Sequence, residues 1–208
     1  IGYGVFATAD IPKGTIVFVK DQLDMEITPA QYSGFEPAYQ HLVEKYSYMD
    51  CRGLRILSWD LAKYVNHRCD CNTMSTGYGF EIALRDIQQG EEITDEYGLF
   101  NIDTPFEVNC GCKDCRKIVL PTDIQTYYKA WDILVMAALQ CVLDVAQPLW
   151  GLLDDETLRH LHGFLLGVKE YYSVLNLKYP SSSTTGHSLF IRERSSNRET
   201  VSVAFPIY

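Results

Sequence analysis

The sequence predicts an α+β protein, with a β-rich domain of several small sheets in its first half and a helical extension after it. Through about residue 117, short apolar or alternating runs are punctuated at close spacing by Gly, Pro, Asp and Asn. That pattern describes many short strands and not a parallel α/β sheet. Beyond Pro121 the apolar residues recur at helical spacing instead. Between the two regimes stands a thiol cluster, Cys110-Gly111-Cys112-Lys113-Asp114-Cys115, at a spacing typical of metal ligands.

The elements follow in order. Gly2 to Ala7 and the stretch from Asp10 to Val19 read as two strands joined at Pro12-Lys13-Gly14, where Pro presets φ and Gly accepts a positive one. A β-hairpin is therefore expected at the start. Thr28-Pro29-Ala30-Gln31 reads as a helix cap with Pro at the first helical position, opening a helical insert over about 28–46. Strands are expected near Tyr46–Met49 and Leu54–Leu57 around the turn 50–53, then at 80–84 and at 93–97, the last ending on Tyr97. After Pro121, Thr122 with Gln125 resembles a capping box, and Ile124, Tyr128, Trp131, Val135, Leu139 and Val142 share one helix face. A second helix from Asp155 carries Leu158, Leu161, Leu165, Val168 and Tyr172, making a helical hairpin through Gly151 that packs on the β domain. Pro180 to Gly186 is rich in Ser and Thr and reads as a linker.

Composition narrows the function. A net charge of −9 argues against sequence-specific nucleic acid binding, which needs clustered Lys and Arg; it suits a basic partner better, although taken alone it reads first as a charge that keeps the protein soluble. No apolar run is long enough to span a bilayer, and the N-terminus has no signal-peptide pattern. Seven cysteines, an odd number with four closely spaced, point to metal ligation in a reducing compartment, so an intracellular protein of nucleus or cytoplasm is expected. The missing initiator Met reads as a trimmed fragment.

Taken singly, the chemical motifs are ambiguous: a lone His67 is more often a core histidine, and Tyr97 fits a packed strand. Their joint order is not. Gly2-Tyr3-Gly4, Asn66-His67-Arg68-Cys69, Gly90-Glu91-Glu92-Ile93-Thr94-Asp95-Glu96-Tyr97 and the Cys-x-Cys-x-x-Cys tail together resemble the SET-domain protein lysine methyltransferases with a zinc-binding post-SET segment. The resemblance covers roughly the first half of the chain. It implies a SET domain over 1–106 with a knot-like C-terminal segment, a post-SET segment over 107–117, a helical extension over 118–179, and a linker and tail over 180–208.

The resemblance also implies roles. Gly2, Tyr3 and Gly4 would lie along S-adenosylmethionine, with Asn66 and His67 holding its two ends and S-adenosylhomocysteine as product. Tyr97 would stand at the methyl-transfer centre, and Tyr64, Phe100 and Phe106 are candidates to line the lysine channel. The fourth ligand of a structural zinc with Cys110, Cys112 and Cys115 would be Cys69. Cys71, standing where the family usually has Pro, competes with it. Glu96 replaces the usual Asp and Lys63 a common Arg. The implied activity is methylation of a lysine-containing protein or peptide, with a histone as a fitting substrate. The alternative is a SET-like scaffold, catalytically weak or inactive, that recruits a protein partner.

Overall fold

The computed structural model describes residues 3–180. Its strands are short: β1 Val5–Phe6, β2 Ile16–Val19 and β3 Met25–Ile27 precede the insert helices α1 Pro29–Ser33 and α2 Pro37–Tyr46. There follow β4 Ser47–Met49, β5 Arg55–Leu57, β6 Asn66–His67, β7 Thr73–Ser75, β8 Phe80–Ala83, β9 Glu92–Asp95, β10 Phe106–Glu107 and β11 Ile118–Val119. The chain closes with α3 Asp123–Leu139 and α4 Asp155–Leu165. Three three-stranded sheets, ordered β1-β9-β6, β2-β8-β7 and β3-β5-β4, stand beside the β10-β11 ribbon. No helix among the described residues is long and apolar enough to cross a membrane. Gly2 and the tail from residue 181 lie outside the described residues.

Local signals behave as their chemistry dictates. Thr28 and Gln31 form a capping box at the start of α1, each satisfying a backbone N–H that the first turn leaves unpaired. The expected turn at 50–53 joins β4 to β5, with Tyr48 opposite Ile56.

Three expectations fail on pairing or backbone. β1 and β2 form no hairpin: β1 pairs with β9 and β2 with β8, so the two strands belong to different sheets. The turn residue Gly14 does take a positive φ of 89°, but a Cβ there would lie 2.7 Å from Cys141 Cβ. This glycine is thus the seat on which the turn after α3 packs. Thr122 makes no side-chain cap, because its backbone (φ −95°, ψ −1°) is already near-helical and cannot present the hydroxyl to the first turn. The second helix stops at Leu165, and Gly167 at φ 70° turns the chain away, leaving Val168 75% exposed and Tyr172 off the helix.

The helices share the core of the sheets. Ile16, Met74, Phe80 and Ile82 pack in one cluster with Trp131, Val135, Leu139, Leu161 and Val174. Polar clamps fix this contact. Gln147 accepts from Ile16 N–H at 2.8 Å and donates to the carbonyls of Gly14 and Val142. Buried Asp132 accepts from Tyr171 Oη (2.9 Å), Ser173 Oγ (2.7 Å) and Val174 N (2.8 Å), pinning the 3-10 turn 174–177 on α3. Asp132→Ala loses three charge-assisted bonds and should destabilise the fold by about 2–3 kcal/mol in urea unfolding.

Candidate active site

The site is built where β6 enters the first sheet. Asp60 caps a 3-10 turn over Leu61–Tyr64 by accepting from Ala62 N–H, and the chain then runs into β6. β6 pairs parallel to β9, Asn66 opposite Thr94 and His67 opposite Asp95. Side chains alternate along the strand, so Asn66 faces outward while His67 is buried at 8% exposure.

Asn66 Nδ2 donates to Tyr3 O at 3.0 Å and to Glu92 Oε1 at 2.7 Å. Beside it, a Cβ on Gly4 would fall 2.6 Å from Glu92 Oε1 and 3.2 Å from Asn66 Nδ2, so the β1 backbone approaches this cradle because Gly4 has no side chain. His67 Nδ1 accepts from Tyr97 N–H at 3.2 Å, which leaves Nε2 to carry the ring proton toward Cys69 Sγ, 3.3 Å away. Burial, aided by the Arg116 charge, lowers the imidazole to about 4 and keeps it neutral, as this double role requires.

β9 ends at Asp95, and Tyr97 opens a 3-10 turn over Tyr97–Leu99 instead of closing the strand as its sequence suggested. Its hydroxyl donates to Val65 O at 2.7 Å. Burial and then the nearby Asp95 and Glu92 push the phenol up to about 12, so it stays protonated near neutrality. Around it lie the rings of Phe100 (centroid 5.3 Å), His67 (5.4 Å) and Phe106 (6.1 Å).

A cavity of about 860 Å³ gathers Tyr3, Tyr64, Asn66, Tyr97, Phe100 and Phe106, six of the residues the sequence singled out. His67 and Gly4 are not among its lining residues, and Gly2 lies outside the described residues. The cavity also takes in Tyr46, Tyr48, Glu81 and Asp95, which sequence reasoning passed over. The tyrosines had a signal in the alternation Tyr46-Ser47-Tyr48 entering β4, whereas the carboxyls had none beyond their acidity in apolar strands. An apolar cavity of about 570 Å³ under α2, walled by Met25, Leu42 and Trp59, shares Tyr46 and Tyr64 with it.

The thiol cluster lies on the other side of His67. The sulfurs of Cys69, Cys110, Cys112 and Cys115 all fall within 4.8 Å of one another. Tetrahedral zinc at about 2.3 Å per thiolate needs sulfurs roughly 3.8 Å apart, so this donor set fits a structural zinc. Gly111 at φ 76° makes the tight Cys-Gly-Cys bend, Arg116 N donates to Cys69 Sγ at 3.4 Å, and Arg68 Nη1 donates to Cys110 O at 3.0 Å. Cys71 is buried in the apolar core and takes no part in the cluster.

Behind the cluster, Arg116 Nη2 donates to Glu96 Oε1 at 2.6 Å, while its guanidinium lies over the rings of Tyr127 (5.1 Å) and Trp131 (5.7 Å). Glu96 is fully buried and accepts from Gly98 N–H at 2.8 Å. Burial pushes its carboxyl above the ordinary range, although Arg116 pulls it down. One guanidinium thereby ties the thiol segment to the Tyr97 turn and to α3.

With this geometry in hand, comparison with known proteins is specific for one segment. Residues 2–98 match the family model described as SET domain. Among solved structures the chain is similar to a candidate histone methyltransferase of Plasmodium falciparum, at 22% identity and a TM-score of 0.33, with 45% of this chain and 82% of that chain covered. It is also similar to KRYPTONITE, solved in complex with mCHG DNA and SAH, at 20% identity and a TM-score of 0.38, with 56% of this chain covered. That match spans 26% of the KRYPTONITE chain. The curated proteins give no match.

Proposed function

We propose that the SET domain formed by residues 2–98 acts as a protein lysine N-methyltransferase, using S-adenosylmethionine and holding a structural zinc at Cys69, Cys110, Cys112 and Cys115. The observation that carries this reading is the protonated Tyr97 phenol, set in an aromatic cavity beside the Asn66–Gly4 cradle. Bound S-adenosylmethionine supplies an electrophilic methyl group on a sulfonium.

What the chain supplies is binding, orientation and exclusion of water. Asn66 Nδ2 and the open β1 backbone at Tyr3 and Gly4 form the cofactor cradle, with His67 fixing β6 from behind. The rings of Tyr64, Phe100 and Phe106 line the passage for the lysine stem. A lysine amine of ordinary pKa about 10.4 costs roughly 4–5 kcal/mol to deprotonate near pH 7, and a passage walled by aromatic rings lowers that cost by disfavouring the charged form. Tyr97 Oη, held on Val65 O, is placed to orient the amine and to favour positive charge on the transferring methyl. The net negative charge suits a basic substrate such as a histone, in nucleus or cytoplasm, rather than nucleic acid.

The test is transfer of labelled methyl from S-adenosylmethionine to a panel of histones and basic peptides. Transfer to lysine supports the reading, and cofactor binding without transfer to any of them favours a scaffold. Tyr97→Phe keeps the ring but loses the hydroxyl. It should lower the transfer rate by about 10²–10³-fold while calorimetry shows unchanged affinity for S-adenosylhomocysteine. Full activity in a folded Tyr97→Phe protein would remove the hydroxyl from this role.

A further inference from the structure

Two carboxyl groups meet at the wall of the Tyr97 cavity, and nothing in the cofactor cradle or the thiol cluster uses them. Asp95, the last residue of β9, is 1% exposed. Its Oδ1 accepts from Glu96 N–H at 2.6 Å, and among the described residues its Oδ2 has no donor other than the Glu81 carboxyl. Glu81 comes from the neighbouring sheet, on β8 between Phe18 of β2 and Ser75 of β7. It is half-buried, with Ser75 Oγ at 3.4 Å, and both residues line the cavity together with Tyr97.

Neither carboxyl has a salt-bridge partner among the described residues. The cations that border the cavity are engaged elsewhere: Lys63 donates to the carbonyls of Ser58 and Trp59, Arg55 pairs with Asp103 at 2.9 Å, and Lys45 lies over the Tyr46 ring. The other titratable groups acting on the pair are Asp60 and Glu96, both acidic, the buried Cys71 thiol and the phenols of Tyr48 and Tyr97, while His67, opposite Asp95 on β6, is held neutral. The two carboxyls therefore meet without a counter-charge, and a cation entering through the cavity would supply one.

We propose that the Asp95–Glu81 carboxyl pair is the proton acceptor for the substrate amine, a role that rests on the methyltransferase reading of this site. One ammonium N–H bond breaks, its electron pair remains on nitrogen, and one carboxyl O–H bond forms, leaving a neutral amine beside Tyr97. The proton leaves for solvent by way of Glu81, the more exposed member of the pair. The proton affinities suit this exchange. Burial raises the Glu81 carboxyl to about 7, and burial together with Glu81 raises Asp95 well above its ordinary value. The same desolvation lowers the affinity of an entering amine, which brings donor and acceptor together in strength. As pH falls through about 7 the Glu81 carboxyl takes up its own proton and can accept none from the amine, so transfer should fall with it.

Two measurements on the full chain test this. Without cofactor, n-butylammonium serves as probe in calorimetry at pH 8. The wild type should bind it saturably, and the Asp95→Asn/Glu81→Gln double variant at least about tenfold more weakly, for loss of a charge-assisted contact. With S-adenosylmethionine and mixed histones, Glu81→Gln should lose the acid limb of the pH–rate profile and fall by about 10²–10⁴-fold in rate. Should the double variant fail to fold, Glu81→Gln at its half-exposed position carries both measurements. Equal butylammonium binding, or an unaltered acid limb in a folded Glu81→Gln protein, overturns the proposal. A wild type that transfers no methyl at any pH sinks the transferase reading instead, and the butylammonium result then decides the pair alone.

Discussion

Removing the proposed zinc from the thiol cluster is expected to loosen the segment from β10 to β11 and abolish the proposed methyl transfer, while α3 and its core contacts survive. Regular structure in this segment is scarce: β10 and β11 are two residues each, and Phe106 is 49% exposed. It buries too little apolar surface to hold itself, whereas structural zinc in small domains contributes about 10–16 kcal/mol near pH 7. Cys69 joins this segment to β6 at the cradle, so losing the metal also frees one wall of the cavity, where Phe106 stands. Cys69→Ser should therefore lose zinc by metal analysis and expose 106–119 to limited proteolysis. Cys71→Ser, in the apolar core, should keep its zinc and lose about 1–3 kcal/mol for a buried hydroxyl. Loss of zinc in Cys71→Ser alone would reverse the ligand assignment.

Arg116→Met should cost about 3–5 kcal/mol, because it leaves the fully buried Glu96 carboxylate without its counter-charge. Met keeps a long apolar stem over Tyr127 and Trp131, so the loss reports charge more than packing. The cost has a pH signature. Burial raises the Glu96 carboxyl in the fold, and without Arg116 nothing of comparable strength opposes it. A carboxyl whose folded pKa lies above its unfolded value of 4.5 destabilises increasingly as pH rises past that value. The deficit of Arg116→Met in urea unfolding should thus be larger at pH 8 than at pH 5. A deficit independent of pH would mean that Arg116 acts through its ring contacts alone.

The elements legible in the sequence were those fixed by near neighbours. Thr28 and Gln31 cap α1 because three residues separate them and one turn closes the box. Ile124, Trp131, Val135 and Leu139 lie buried on one face of α3 because the helical period places them there. β7 escaped notice because Thr73-Met74-Ser75 shows no alternation long enough to read, although Thr73 and Met74 are buried. Val168 and Tyr172 fit the helical period, but the turn at Gly167 ends the helix before them.

By itself, the sequence determined the kinds of groups present and their order along the chain: the glycine edge, Asn66-His67, Tyr97, and enough thiols for one metal. Tertiary structure alone decided which of them meet. β1 takes β9 rather than β2 as its partner, and β6 lies parallel to β9, through backbone bonds between segments far apart in sequence that no local spacing encodes. Cys69 joins the cluster and Cys71 the core because the chain turns at Cys69-Asp70 and sends two like side chains in different directions. Asp95 and Glu81 meet only because β9 and β8, in separate sheets, wall the same cavity. A carboxyl's chemistry is set by what surrounds it, and those surroundings come into being only when the sheets pack.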